Sequence, residues 1–356
     1  MRPARSSNSS AARSAKAMRE PGVPDRRTAP PVAARWRVRR LRSRSRYDWP
    51  VVGGLEDRHM SAETVVTPLS AHTTAYLQPP GGWFRNNAGW FTGEDRVLLV
   101  DTCATERRSR WLLDAVERSA PGKPVSVVLT HGHGDHANGA RLVAESGGAV
   151  MVSPETDRMV SSGPHTFPSA FVYSGWGDIQ PPRDVEIVSQ RTTFDAGGRT
   201  AEVIPLATTA HTGGDLVVWV PGDGVLFSGD LVFSGVTPLA VHGRISGWLD
   251  ALRALEEFEA RHLVPGHGPI TAPAEAIGAV SEYLRWLLDS VTAVAQPDFA
   301  VLEREGRLRW PDWHDQERHA ANLRVAHAEV HGRPVEIGPV MAAMIESAGG
   351  PIALDI

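Results

Sequence analysis

The sequence predicts an α/β protein built of two sheets with helices over their outer faces. Two observations predict it. From about Thr64 the chain is a succession of short runs rich in Val, Leu and Ile set between Gly and Pro, which read as buried strands. Helical stretches are inserted among them. The one at 245–260 places Trp248, Leu252, Leu255 and Phe258 along one face, a spacing that suits a core contact rather than a cofactor. Strands interleaved with helices bury their apolar faces as layers.

In chain order, the first segment is of another kind. Residues 1–59 carry 14 Arg and one Lys against five acidic residues, a balance of +10, while the remainder stands at −14 and the whole chain at −4. Arg, Ser, Ala and Pro dominate without hydrophobic period, so 1–62 is expected to be a disordered, Arg-rich extension. It has no apolar stretch of the kind a secretory signal needs. A basic arm, an organellar transit peptide and an inert stretch upstream of a start at Met60 are the readings its composition allows. Strands are then expected at 97–101, 125–130, 149–153, 185–189, 200–206, 216–220, 225–228 and 262–264. Helices are expected at 104–118, 137–145, 245–260 and 273–294; in the last, Pro273 suits a first helical position because its missing N–H costs nothing there. A catalytic domain is expected over 63–295. Residues 296–356, helical around 316–330, form an extension expected to pack on it, over the active-site face or elsewhere.

Hydrophobic residues make up 42% and charged residues 22%, as in ordinary globular proteins. No run approaches the roughly 20 continuous apolar residues of a membrane span. The one cysteine, Cys103, cannot form an intrachain disulfide, which sets a cytoplasmic location as the expectation. It also excludes a thiolate-rich structural zinc site and is expected to be a packed, small apolar residue. Any metal must be held by imidazoles and carboxylates, and there are 14 histidines.

The segment VSVVLTHGHGDHANG carries the chemistry. A buried strand ends in a Gly-spaced loop bearing His131, His133, Asp135 and His136, with a helix following. Gly132 and Gly134 let the loop curl so that several side chains converge on one point. Imidazole and carboxylate together suit zinc, iron or manganese rather than calcium or magnesium.

This loop resembles the H-x-H-x-D-H motif of the metallo-β-lactamase superfamily, and four further motifs stand around it in the family's order over roughly 81–269. Asp101, ending VLLVD, is similar to an aspartate that supports the metal loop. His211 in TTAHTGGD, Asp230 in VLFSGD and His267 in LVPGHGP match the later motifs. The resemblance implies a four-layer αββα sandwich. It implies one ion held by His131, His133 and His211, a second held by Asp135, His136 and His267, and Asp230 shared by both. Two Zn2+ are expected, with iron or manganese also admitted by the donors. Metal-activated hydroxide would cleave an ester, thioester, lactone or related acyl bond, with Asp135 orienting the nucleophile and Asp101 supporting the loop as the catalytic side chains. An aspartate at 230 resembles the thioesterase, lactonase and phosphodiesterase branches, whereas lactamases proper commonly use a cysteine there.

The alternative is a mononuclear iron, persulfide-dioxygenase-like oxidoreductase on the same fold. Di-iron oxygen reductases of the superfamily typically carry glutamate where His133 stands, and a flavin domain; this sequence has neither. A nucleic-acid substrate is not expected, because the catalytic part is acidic and lacks an RNA-handling insertion. A non-catalytic binding module is disfavoured, since no ligand position is missing.

The expected substrate is a small molecule, a hydrophobic or aromatic acyl compound. YLQPPGGWFRNNAGWF offers Trp83, Phe84 and Trp90 as an apolar wall with Asn86 and Asn87 as amide donors, although these aromatics equally suit the core of a first hairpin. His165, Phe167, Phe171, Tyr173 and Trp176 fall where family members carry a variable loop. His242 and His319 are further polar candidates. The substrate-contact set expected is Trp83, Phe84, Asn87, Trp176 and His242; oligomeric state is not legible.

Overall fold

The computed structural model describes residues 64–292 and 296–356. The expectations for residues 1–62, for a start at Met60 and for the last residues of the helix expected to reach 294 lie outside them.

The first sheet opens with four antiparallel neighbours, β1 (Val65–Pro68), β2 (Thr73–Leu77), β3 (Ala88–Thr92) and β4 (Val97–Val100). Helix α1 (Glu106–Ser119) then leads to β5 (Val125–Val128), parallel to β4. Its N-terminus is capped by Thr105, whose hydroxyl accepts from the Arg108 N–H at 3.2 Å. The short helices α2 (Gly134–Ala137) and α3 (Ala140–Glu145) precede β6 (Val150–Val152), and α4 (Pro154–Ser161) precedes the two-residue strand β7 (Phe171–Val172). With β8 (Glu186–Ile187) the seven-stranded sheet is complete in the order β1-β2-β3-β4-β5-β6-β8.

The second sheet runs antiparallel through β9 (Thr192–Asp195), β10 (Thr200–Pro205), β11 (Leu216–Val220) and β12 (Val225–Phe233). Helix α5 (Ile245–Glu256) returns the chain to β13 (His262–His267), parallel to β12. There follow α6 (Pro273–Thr292), α7 (Phe299–Arg309), α8 (Arg318–Val330) and α9 (Ile337–Ser347). A final strand, β14 (Ile352–Ala353), pairs in parallel with β7.

The alternation of strand side chains sorts the apolar residues into three cores. In β4, Val97 and Leu99 pack with Leu112 and Val116 of α1, whereas Leu98 and Val100 meet Leu216, Val218 and Phe227 of the second sheet. In β12, Val225 and Phe227 lie between the sheets, and Leu226 packs outward with Trp248 of α5 and Leu284 of α6. Helices, sheet, sheet and helices therefore make a four-layer αββα sandwich.

Three differences from the sequence expectation have local causes. The helix expected at 137–145 is two pieces, because the Gly139 N–H donates to Thr102 Oγ1 at 3.0 Å and a Cβ there would lie 2.1 Å from Ser109 Oγ. Strand β12 continues well past 228, carried through irregular pairing at Gly229, which has φ +52°. Residues 296–356 form three helices rather than one, and Ala321, Leu323, Val325 and Met344 join the outer core with α5 and α6. Among the described residues, no helix is long and apolar enough to cross a membrane.

Candidate metal centre

Seven side chains from separate segments gather where the strands end. His131 and His133 follow β5, and Asp135 and His136 sit on the single turn of α2. His211 lies in the β10–β11 loop, Asp230 within β12, and His267 closes β13. The irregular Gly229 permits the approach of β12 to the β5 loop: a Cβ there would stand 2.5 Å from Thr130 Oγ1. All seven side chains belong to residues no more than 9% exposed.

The atoms form two clusters. In the first, His133 Nδ1 lies 3.0 Å from His131 Nε2 and 2.9 Å from His211 Nε2. Asp230 Oδ2 is 3.7 Å from His131 Nε2 and 3.4 Å from His211 Nε2. In the second, His267 Nε2 is 3.2 Å and His136 Nε2 3.9 Å from Asp135 Oδ2. The other oxygen of Asp230, Oδ1, stands 3.1 Å from His136 Nε2 and 3.5 Å from His267 Nε2.

The outer nitrogens of His136, His267 and His133 are held in turn, whereas His211 Nδ1 is buried without a partner. Asp101 Oδ2 accepts from His136 Nδ1 at 2.8 Å, and the same carboxylate accepts from the Thr130 N–H at 2.7 Å and hydroxyl at 2.8 Å. His267 Nδ1 donates to the Gly81 carbonyl at 2.7 Å, and its ring stacks on Phe233 with centroids 5.1 Å apart. His133 Nε2 and His242 Nδ1 are 2.9 Å apart. Each contact orients its ring so that the opposite nitrogen points into the cluster.

Burial holds His131 and His133 well below the ordinary imidazole range and His211 at about 4, so these three are neutral at pH 7. Burial pulls the same way at the other two rings but is outweighed, first by Asp230. His136 stays well above its usual range and His267 at about 9. Burial likewise opposes ionisation of Asp135 and Asp230. Their imidazole neighbours nonetheless keep Asp135 at about 2 and Asp230 well below the carboxylate range.

The arrangement fits divalent ions of the zinc class. The donors of the first cluster (His131, His133, His211, Asp230) and of the second (Asp135, His136, His267) each lie within 4.8 Å of one another. His136 Nε2 and Asp230 Oδ1 are buried without a hydrogen-bond partner, a costly state that a cation relieves. The donors are nitrogens and carboxylate oxygens, the set that zinc, iron and manganese accept. Cys103 is fully buried and its thiol is pushed up to about 12 by that burial.

A cavity opens beside Asp135, Asp230 and His267. Of the expected substrate contacts, Trp83, Phe84 and His242 line it. Asn87 and Trp176 are not in its lining. The Asn87 amide donates to the Pro265 and Gly268 carbonyls at 3.0 and 2.7 Å, and Trp176 packs behind Phe84 with ring centroids 5.1 Å apart. Trp90 is buried in the outer core of the first sheet, and His319 lies in α8 beside Tyr283, 3.0 Å from its hydroxyl. From the aromatic-rich loop, Phe167 and Phe171 reach the cavity. Sequence reasoning missed Arg318, Ile337 and Met341, which line it from the C-terminal helices. It also missed Asp215, whose carboxylate accepts from Thr212 N–H and Oγ1 (2.6 Å) and shapes the loop carrying His211. The signal for Asp215 was present as the last residue of TTAHTGGD.

Residues 81–267, just over half of the chain, match the metallo-beta-lactamase superfamily. A metallo-beta-lactamase type 2 of Bacillus cereus is 22% identical over 206 residues, 53% of this chain and 73% of that protein. An uncharacterized protein of Mycobacterium leprae is 33% identical over 159 residues, 42% of this chain and 71% of its own. Among solved structures, a metallo-beta-lactamase from Pontibacter korlensis aligns with a TM-score of 0.52 at 21% identity, covering 63% of this chain and 99% of that one, a likeness of fold. All seven clustered side chains fall inside the matched span, and by that match this chain belongs to the metallo-beta-lactamase superfamily.

Proposed function

We propose that the protein is a metal-dependent hydrolase cleaving an ester, thioester, lactone or related acyl bond at a dinuclear zinc site. The observation that carries this reading is Asp230, whose two carboxylate oxygens face different clusters: Oδ2 towards His131 and His211, Oδ1 towards His136 and His267. His131, His133 and His211 would hold one ion, Asp135, His136 and His267 the other, and Asp230 both. Bound there, zinc supplies Lewis acidity that brings a water's pKa towards neutrality and polarises an acyl oxygen.

The chain's own groups do the rest. Asp135 lines the cavity, and in this reading its carboxylate would accept a hydrogen bond from the attacking water and orient it towards the acyl carbon. Asp101 acts through His136, and the Gly81 carbonyl through His267, by keeping Nδ1 protonated and Nε2 free. The apolar cavity wall, with Trp83, Phe84 and Phe171, suits a hydrophobic or aromatic acyl group and excludes bulk water. Aspartate at 230, where lactamases proper commonly carry cysteine, favours acyl esters and thioesters over β-lactams.

Elemental analysis of protein purified without added metal, combined with a panel of p-nitrophenyl esters, acyl thioesters, lactones and a cephalosporin with and without chelator, tests this. The expected result is zinc at both clusters and chelator-sensitive turnover of an acyl ester or thioester, with Asp230→Ala losing metal and at least ~100-fold in turnover. A single iron per chain, or full turnover and metal content in Asp230→Ala, would overturn it.

A further inference from the structure

We infer that helix α9 supplies the acyl-chain subsite of this centre, with Met341 and Ile337 setting the size of the apolar group accepted. The inference rests on the hydrolase reading above and assigns specificity to a part of the chain outside the span matched by the family.

The apolar face of α9 is one stripe, Ile337, Val340, Met341 and Met344 at the i, i+3, i+4, i+7 spacing, and it is divided between two surroundings. Val340 and Met344, one turn apart, are buried in the core shared with Leu323 and Val325 of α8. Ile337 and Met341, also one turn apart, line the same cavity as Asp135, Asp230 and His267, and Ile337 is left 38% exposed. An apolar stripe incompletely covered and facing a reaction cavity is surface that a ligand can bury.

The charge pattern says what kind of ligand. Apart from the clustered His and Asp side chains, the ionisable groups of the lining are His242 and Arg318. His242 is occupied by His133, its Nδ1 lying 2.9 Å from His133 Nε2. Arg318 is compensated: Nη2 pairs with Asp315 Oδ2 at 2.7 Å and Nη1 donates to the Thr237 carbonyl at 2.8 Å. No uncompensated charge faces an ionic tail, so the group received there is neutral and apolar, an alkyl or aryl acyl chain. Methionine at 341 suits this task, because its unbranched thioether side chain adapts to ligands of differing shape.

The wall is also anchored. Beyond α9, the Ile352 N–H donates to the Ala170 carbonyl at 2.8 Å, and the Tyr173 hydroxyl to the Ile356 carbonyl at 2.8 Å. Arg85 Nη2 donates to the Asp355 carbonyl at 2.6 Å. The segment after α9 is thus tied to the loops around β3 and β7.

Straight-chain carboxylates, the product class of acyl hydrolysis, probe the subsite without requiring turnover. The full-length, zinc-supplemented protein is titrated calorimetrically with acetate, butyrate, hexanoate and octanoate. Affinity is expected to rise with chain length, by up to about fourfold per methylene buried. Met341→Trp, which fills the subsite, is expected to weaken octanoate at least tenfold while acetate affinity and zinc content change less than twofold. Ile337→Asp, at a half-open position, is the second variant and is expected to lower octanoate affinity selectively as well. Affinity independent of chain length in the wild type, or equal losses for acetate and octanoate in both variants, would overturn the assignment. Wild-type turnover of the matching p-nitrophenyl esters is read alongside. Graded carboxylate binding without turnover would leave the subsite standing and count against the hydrolase reading alone.

Discussion

The guanidinium of Arg318 lies 3.8 Å from the centre of the Trp83 ring, joining helix α8 to the loop that precedes β3. The same side chain is also held by Glu317, which accepts from Trp83 Nε1 at 2.5 Å. Two residues before Trp83, the Gly81 carbonyl orients His267. The C-terminal helices and the metal centre therefore share a wall. Arg318→Met is expected to destabilise the fold by about 3 kcal/mol, because it strands the Asp315 carboxylate in a largely buried place. Arg318→Met combined with Asp315→Asn is expected to recover most of that loss. Denaturant unfolding of the two single variants and the double variant checks this; strictly additive losses would contradict it.

Asp101 is the hinge between the first sheet and the metal loop, and it sits at φ +61°. Both Asp101→Asn and Asp101→Ala are expected to weaken divalent-metal binding, by about 10- to 100-fold, since each removes the charged partner of His136. The alanine variant is expected to lose a further 1 kcal/mol or so of stability, because asparagine tolerates a left-handed backbone and alanine does not. Chelator competition reads the first effect and thermal melting the second. Equal melting temperatures for the two variants would show that the backbone conformation carries no cost.

His319 is buried in α8, and that burial, with Arg307 nearby, lowers it from 6.5 to about 4. Its folded state therefore binds the proton more weakly than its unfolded state. The contribution to stability is whole above pH 6.5 and is lost as pH falls from 6.5 towards 4, on the order of 3 kcal/mol across that window. His319→Gln is expected to melt with a shallower acid limb between pH 6.5 and 4 than the wild type. Parallel curves over that range would assign the acid sensitivity to other groups.

The four donors of the 131–136 loop were legible because their signal is local: they stand within six residues after an apolar run. His211, Asp230 and His267 were reached through the resemblance to the family's later motifs, and the fold gathers all seven side chains into two clusters. The sandwich was legible from period-two strands and period-3.6 helices, but β1, β2 and β3 were not. Their polar-interrupted runs gain definition from pairing with one another, which no short window shows. Asn87 illustrates the limit for polar side chains: its amide donors look available in the sequence, and the fold uses them on the carbonyls of Pro265 and Gly268. Met341 and Ile337 illustrate it for apolar ones. They lie beyond the helical stretch expected around 316–330, and only the path of the last helix brings them to the cavity that Asp230 also lines.

Every inner strand serves two cores at once, and the consequence is an uneven tolerance of insertions. Slipping β4 by one residue would send Leu98 and Val100 outward and Leu99 inward, undoing two packing layers in a single step. Because Asp101 follows directly on Val100 and its N–H donates to the Val128 carbonyl, the same slip would withdraw the support of His136. The hairpin tip at Gly197 and Gly198 has no such double duty. A Cβ at Gly198 would meet nothing within 4 Å, so length changes belong at that tip and away from the strands that end in ligands.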